Sequence, residues 1–180
     1  MSKLIDKFRE ENKGISPKKL VDTYFNMLRK IEEYRRKKRF DKMLVYCQMS
    51  LPLLEPLIVE TKKEYGTFDI NSIPAIELGS IFWAIYGLEE QLINLKEIVE
   101  YFPELHPWRE IIEEAFIMKD LAFKICQYVR DNEGVLQINL KKALGVKNGR
   151  MVSRVVHYME LAGKMKRKKI GNTYALFCNF

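Results

Sequence analysis

The side chains best suited to chemistry lie in the last third of the chain, on a segment with helical periodicity. On a helical wheel at about 100° per residue, the apolar residues of 150–162 share one arc and the polar residues share the opposite one. The polar arc carries Arg150, Ser153, Arg154 and His157. Two guanidinium groups four residues apart can offer forked hydrogen bonds to guanine edges or to phosphates. An ordinary solvated helix face is the alternative interpretation.

A strongly basic segment follows that helix. Residues 164–169 read KMKRKK, Gly171 and Asn172 follow, and residues 173–178 are rich in strand-forming types. Two extended segments joined by a Gly-Asn turn predict a β-hairpin. Strand alternation directs Lys166 and Lys168 away from the face that holds Met165. A basic hairpin arm suits an anionic partner, although basic edge strands also deter aggregation.

The net charge of +7 is concentrated in the same region. Residues 119–180 hold 13 lysine and arginine residues against 4 aspartate and glutamate residues, whereas residues 1–118 hold 18 against 20. This asymmetry indicates a polyanion-binding module beside a nearly neutral helical segment.

The preceding residues are expected to be helical, because apolar residues recur at spacings of three and four. Ser16 is expected to cap the first helix, and Ser72 a later one that is apolar nearly all round and should form the buried centre of the N-terminal half. Residues 62–71 are expected to form a loop. The expected helices cover Pro17–Arg36, a segment from residue 41 that Pro52 and Pro56 kink or end, and residues 73–86, 88–102, 108–131, 139–144 and 150–162.

Parts of the N-terminal half resemble the tetratricopeptide repeat, a helix pair of about 34 residues. The residues that carry this resemblance are Leu78, Gly79, Phe82, Leu95, Ile98 and Pro103, with Met27, Tyr34, Phe40, Met43 and Pro56 in an earlier unit. A plain helical bundle is the alternative. Both imply that this half packs helices to bind a partner or to dimerise.

The C-terminal segments 134–146, 151–167 and 171–176 read GVLQINLKKALGV, MVSRVVHYMELAGKMKR and GNTYAL. A short extended piece, a short helix, a tight turn, an amphipathic helix and a basic hairpin follow one another in this order. The arrangement resembles the winged helix-turn-helix family, as found in prokaryotic regulators of the MarR and ArsR type. The resemblance implies a recognition helix for double-stranded DNA and a hairpin wing.

The same resemblance implies a role for each matching residue. Lys147, Asn148 and Arg150 would meet phosphates and base edges at the start of the recognition helix. Ser153, Arg154 and His157 would extend along the groove. The wing, formed by Lys166, Arg167, Lys168, Lys169 and Asn172, would reach the DNA backbone or the minor groove. The side chains of Arg150, Arg154, Lys166 and Lys168 are all expected to be exposed.

Signals for catalysis, cofactors and metals are missing from the sequence. It contains no Gly-rich phosphate loop, GxSxG or HExxH motif, and Cys47, Cys126 and Cys178 are widely spaced without a CxxC pair. We therefore expect a protein that is not an enzyme and has no cofactor or metal site. No signal peptide or membrane-spanning run is recognised, which predicts a cytoplasmic protein without membrane contact.

Together these patterns predict a mainly α fold with two domains. Residues 1–104 would form the helical dimerisation or partner-binding domain, as a bundle or as degenerate repeats, and residues 105–180 the winged helix DNA-binding domain with its small β-hairpin. The expected function is double-stranded DNA-binding transcription regulation, with a homodimer as the expected assembly. The alternative is a scaffold of helical repeats and a winged helix that resembles PCI domains and mediates protein assembly. The basic cluster at residues 35–39 is either a second nucleic-acid contact or a solvated helix end.

Overall fold

The computed structural model describes residues 3–179 and is mainly helical, with one small antiparallel sheet near the C-terminus. Helices account for 73% of the described residues, which confirms the expected mainly helical composition. The helices are α1 (Lys3–Glu11), α2 (Pro17–Arg36), α3 (Phe40–Ser50), α4 (Leu54–Tyr65), α5 (Pro74–Tyr86), α6 (Glu89–Tyr101), α7 (Arg109–Asp131), α8 (Gln137–Ala143) and α9 (Gly149–Leu161). Leu51–Leu53 and Pro103–Trp108 are 3₁₀ turns, and the strands are β1 (Met165–Ile170) and β2 (Thr173–Cys178).

Local sequence signals place α2 well, whereas the sequence analysis did not expect α1. The Ser16 hydroxyl accepts a 3.4 Å hydrogen bond from the Lys19 backbone N–H, and α2 has the predicted bounds. Pro56 lies in the first turn of α4, where its missing N–H has no partner to lose, so the helix continues past it. The expected loop therefore begins only at Gly66, because residues 62–65 are helical.

The start of α5 differs from the expected serine cap. The Ser72 hydroxyl donates a 3.0 Å hydrogen bond to the Glu77 carboxylate rather than accepting one from the helix backbone. The other oxygen of that carboxylate accepts the backbone N–H of Ile73 at 3.2 Å and the indole N–H of Trp108 at 3.4 Å. Glu77 thus satisfies the amide ahead of the helix, a function that the sequence alone assigned to Ser72.

The described residues divide into two compact units, 3–80 with 89–113 and 81–88 with 114–179. This division differs from the expected boundary between residues 104 and 105. Helices α5 and α7 each contribute residues to both units. In the first unit, α2 packs against α3 and α4 around the buried side chains of Tyr24, Ile31, Met43 and Cys47.

The second unit has its own core, made by α7, α8, α9 and the hairpin. Ile125, Val129, Leu140, Val155 and Leu176 are buried within it. The last turns of α5 belong to this unit: the Phe82 ring meets the Tyr158 ring edge-on at 5.7 Å, and the Tyr86 hydroxyl donates to the Ala162 carbonyl at 3.3 Å. These apolar turns were expected at the centre of the N-terminal half, but a helix that is apolar on all sides can fill either core.

One described stretch, Phe40–Tyr65, is long and apolar enough to cross a membrane by length and composition. In its most apolar window, 61% of the residues are buried inside the protein, where Leu51 and Leu54 have no exposed surface. A buried core helix passes the same test, so this stretch is weak evidence for a membrane span.

Candidate nucleic-acid interface

Helix α9 is amphipathic in the predicted orientation. Val152, Val155, Val156 and Met159 are buried in the core of the second unit. The side-chain oxygen of Asn148 caps the helix by accepting the backbone N–H groups of Arg150 at 3.1 Å and Met151 at 3.2 Å. Asn148 was expected to touch nucleic acid, and the structure gives it a capping role at the same helix end, within one residue of the predicted start.

The end of α9 is also well defined. Gly163 adopts φ +73°, a left-handed conformation that glycine reaches without steric penalty. The backbone N–H of Lys164 then returns to the Met159 carbonyl at 2.9 Å, as in a Schellman motif. This reversal directs the chain from α9 into β1 after a single turn.

Three of the predicted polar residues on α9 are exposed, namely Arg150, Ser153 and His157. Arg154 is only half-exposed, and its guanidinium donates a 2.6 Å hydrogen bond to the carboxylate of Glu114 on α7. The expectation that Arg154 is exposed therefore holds only in part: 39% of its side chain is accessible, and its guanidinium is bound to a carboxylate. A helical wheel gives the direction of a side chain but not its partner on another helix, here 40 residues away.

Helix α8 lies beside the start of α9 and adds basic residues that the sequence analysis missed. The Gln137 amide donates a 3.3 Å hydrogen bond to the Ser153 hydroxyl. The Lys141 side chain packs against Gly149, since a Cβ atom at that glycine would lie only 3.3 Å from Cδ of Lys141. Lys141 and Lys142 are both exposed. The sequence could have indicated them, because they follow the apolar Leu140 in a short amphipathic helix and so point toward solvent.

The hairpin forms at the predicted place, with Gly171 and Asn172 as its two-residue turn. Its register pairs Met165 with Cys178, and so on to Ile170 with Thr173 at the turn. Leu136 forms an additional bridge to Ala175 on the other edge of β2, so β2 has neighbours on both sides. Lys166, Lys168, Lys169 and Asn172 are exposed, while Met165 is buried.

Arg167 differs from the other basic residues of the hairpin. Its Nε donates a 2.7 Å hydrogen bond to Glu160 of α9, and its guanidinium lies 4.8 Å from the centre of the Tyr174 ring. Only 19% of its side chain is exposed. Arg167 was expected to reach out to nucleic acid, but its contact with Glu160 instead joins the hairpin to α9, and its contact with Tyr174 joins the two strands.

Most exposed cations of this region are not paired with a carboxylate. Among residues 3–179, no ion pair involves any of Lys141, Lys142, Lys147, Arg150, Lys166, Lys168 or Lys169. They lie on α8, at the start of α9 and on the hairpin. We call these seven residues the cationic surface.

The basic cluster at residues 35–39 differs from the cationic surface because most of its cations form ion pairs. Three of its cations are paired: Arg35 with Glu32 at 2.7 Å, Lys37 with Glu33 at 2.7 Å, and Arg39 with Asp41 at 3.2 Å. Local pairing of this kind is typical of a solvated helix end.

The described residues contain no group of three or more His, Cys, Asp or Glu side chains that could hold a metal ion. Cys47, Cys126 and Cys178 are free, and Cys178 Sγ lies 3.6 Å from the Cys126 carbonyl oxygen.

No protein-family model, curated protein or solved structure matches this chain. A functional proposal therefore rests on its own residues.

Proposed function

We propose that the chain is a double-stranded DNA-binding transcriptional regulator. In this proposal, residues 114–179 form a winged helix-turn-helix with α9 as the recognition helix and the hairpin of β1 and β2 as the wing. The order of α7, the Leu136 bridge, α8, α9 and the hairpin supports it, because this order resembles that family. The first unit would dimerise the protein or bind a partner.

The observation that carries the proposal is the cationic surface. Like charges that are not ion-paired repel one another. Lysine and arginine side chains that neutralise phosphates relieve this repulsion and release the counterions of the nucleic acid. The ion pairs at residues 35–39 show that this chain neutralises cations elsewhere. The absence of such pairs over seven exposed cations of one unit therefore favours a polyanionic partner.

The contacts of the individual residues suggest that they have different roles in DNA binding. Arg150 is exposed next to the capped start of α9, where a guanidinium can reach a guanine edge in a major groove. Lys166 and Lys168 would bind phosphates as point charges, which positions the protein without reading sequence. Arg154 and Arg167 would act as positioning residues, because both are already bound to carboxylates.

A protein-assembly function is the second candidate, and one observation favours it. Ile138 on α8 is 72% exposed and Ile170 near the hairpin turn is 49% exposed, which leaves apolar surface on the same unit. Exposed apolar side chains of this kind occur in protein interfaces. A scaffold resembling PCI domains would use them to bind another protein.

Selection of duplexes from a random pool, followed by fluorescence anisotropy on selected and scrambled duplexes, tests the leading proposal. Arg150→Ala should cost about 1 to 3 kcal/mol on the selected duplex and much less on the scrambled one. Arg29→Ala, which removes an exposed arginine of the first unit, is the matched control and should change neither. If the pool yields no preferred sequence, or if Arg150→Ala lowers the affinities for the selected and the scrambled duplex equally, α9 does not read bases.

A further inference from the structure

The first unit contains a cavity of about 420 Å³ between α2, α4 and the loop that follows α4. Its lining includes Phe25, Leu57, Glu60, Glu64, Tyr65 and Asp69. The volume lies within the range of about 300 to 1,000 Å³ that is usual for small-molecule sites. All of these residues lie outside α8, α9 and the hairpin, so the cavity is separate in sequence from the cationic surface.

The charge of the lining is unusual for this basic protein. Three carboxylates, Glu60, Glu64 and Asp69, line the cavity, and its lining contains no lysine or arginine. The nearby cations neutralise it only weakly. Lys62 pairs with Glu104 at 2.7 Å, and the largely exposed Lys63 approaches Glu60 no closer than 3.9 Å.

Two aromatic rings accompany the carboxylates. Phe25 is 50% exposed and Tyr65 is 70% exposed, although apolar rings of this size are normally covered in a folded protein. The face of an aromatic ring attracts a cation within about 6 Å, and the attraction adds to that of nearby carboxylates. Leu57, which is almost fully buried, supplies an apolar floor.

We propose that this cavity binds a small organic cation, in which an ammonium group is attached to an apolar or aromatic body. The rings and Leu57 would cover the body, and the carboxylates would surround the charge. A metal ion fits less well, because the described residues contain no group of three or more His, Cys, Asp or Glu side chains that could hold one. A diffuse ammonium charge needs only proximity, not short coordination bonds. This site is additional to the proposed DNA-binding function and does not depend on it.

Isothermal titration calorimetry on the full chain tests the proposal with three probes of similar size. We expect benzyltrimethylammonium to bind at least about ten-fold more tightly than benzyl alcohol, and phenylacetate to bind most weakly, since its charge is repelled. Equal affinity for the three probes, or no binding of the cation at millimolar concentration, would overturn the proposal.

Variants locate the site. Glu60→Gln combined with Glu64→Gln should weaken benzyltrimethylammonium binding by about five- to ten-fold, and Phe25→Leu by about three-fold. The matched control, Glu97→Gln with Glu100→Gln, removes two exposed carboxylates of α6 and should leave the affinity unchanged. If the cavity variants and the control variant lose affinity equally, the effect is due to net charge alone, and this result would contradict the proposed site. Analytical ultracentrifugation of Phe25→Leu tests another occupant. If this variant dissociates a dimer, the cavity binds a second copy of the chain instead.

Discussion

Arg154 on α9 is joined to Glu114 on α7 by a 2.6 Å ion pair within the second unit. The guanidinium that the sequence alone would aim into a DNA groove is therefore already neutralised by a carboxylate. Both side chains are partly exposed, so solvent screens the pair and its contribution to folding stability is small. The pair has a greater effect on the charge and direction of a side chain that would face DNA.

Glu114→Gln should strengthen duplex binding by about two- to five-fold, because it removes a negative charge and releases Arg154. The free energy of unfolding should fall by less than about 1 kcal/mol. Anisotropy titrations and urea denaturation measure the two effects. Glu113→Gln is the control, since it removes an adjacent exposed carboxylate, whereas the described ion pair of Arg154 is with Glu114. Equal gains from both variants would show that only net charge matters and that the pair does not restrain Arg154.

Two substitutions of Asn148 distinguish its effect on folding stability from its effect on duplex binding. Asn148→Ala should lower the free energy of unfolding by about 1 kcal/mol, because the first amides of α9 lose their acceptor. Asn148→Asp keeps the acceptor and should retain most of the stability, yet it should weaken duplex binding by placing a carboxylate beside the phosphates. Urea denaturation and anisotropy distinguish these outcomes. Duplex binding that is unaffected by Asn148→Asp would indicate that DNA does not approach this end of α9.

Lys38 is the one described residue other than glycine with a positive φ, at +54°. It follows the C-terminus of α2, where the Arg39 backbone N–H returns to the Tyr34 carbonyl at 2.9 Å. Glycine suits this conformation better, so Lys38→Gly should raise the free energy of unfolding by roughly 0.5 to 1 kcal/mol. Lys37→Gly, at a position with φ −79°, should give no gain in the same thermal or urea denaturation. A gain at both positions would point to relief of charge repulsion instead.

Alkaline pH should destabilise the first unit through two buried acids. Burial raises the pKa of the Cys47 thiol to about 12, and burial likewise raises the pKa of the Tyr24 phenol. The unfolded chain ionises a thiol near about 8.5 and a phenol near about 10, so above those values it binds fewer protons than the native state. Stability is therefore complete below about pH 8 and falls as pH rises toward the native pKa values. Urea denaturation from pH 8 to 11 should show this fall, and a shallower one in Tyr24→Phe. A pH-independent stability would contradict the burial of both groups.

Local patterns in the sequence predict much of this fold. Serine and proline at residues 16 and 17 mark the start of α2, the 3.6-residue period identifies the buried face of α9, and Gly171 with Asn172 marks the hairpin turn. Each of these features depends on residues only a few positions apart. For that reason their location does not require knowledge of the tertiary structure.

Features that depend on distant residues could not be predicted in the same way. The ion pair of Arg154 joins residues 40 positions apart, and the division of α5 between two cores depends on packing that no local period encodes. The cavity beside Phe25 likewise needs α4 to lie against α2. Periodicity orients a side chain, whereas its partner is set by the tertiary structure.

The salt dependence of duplex affinity tests most directly whether the cationic surface binds DNA. If about five to eight of its cations and their neighbours meet phosphates, log affinity should fall against log salt with a slope of roughly −5 to −7. Lys166→Ala with Lys168→Ala should make this slope shallower by about 2 on every duplex, without a change in thermal stability. Lys13→Ala with Lys96→Ala removes two exposed lysines of the first unit and should leave the slope unchanged. A slope near zero, or no duplex binding at low salt, would contradict DNA binding and favour the protein-assembly function.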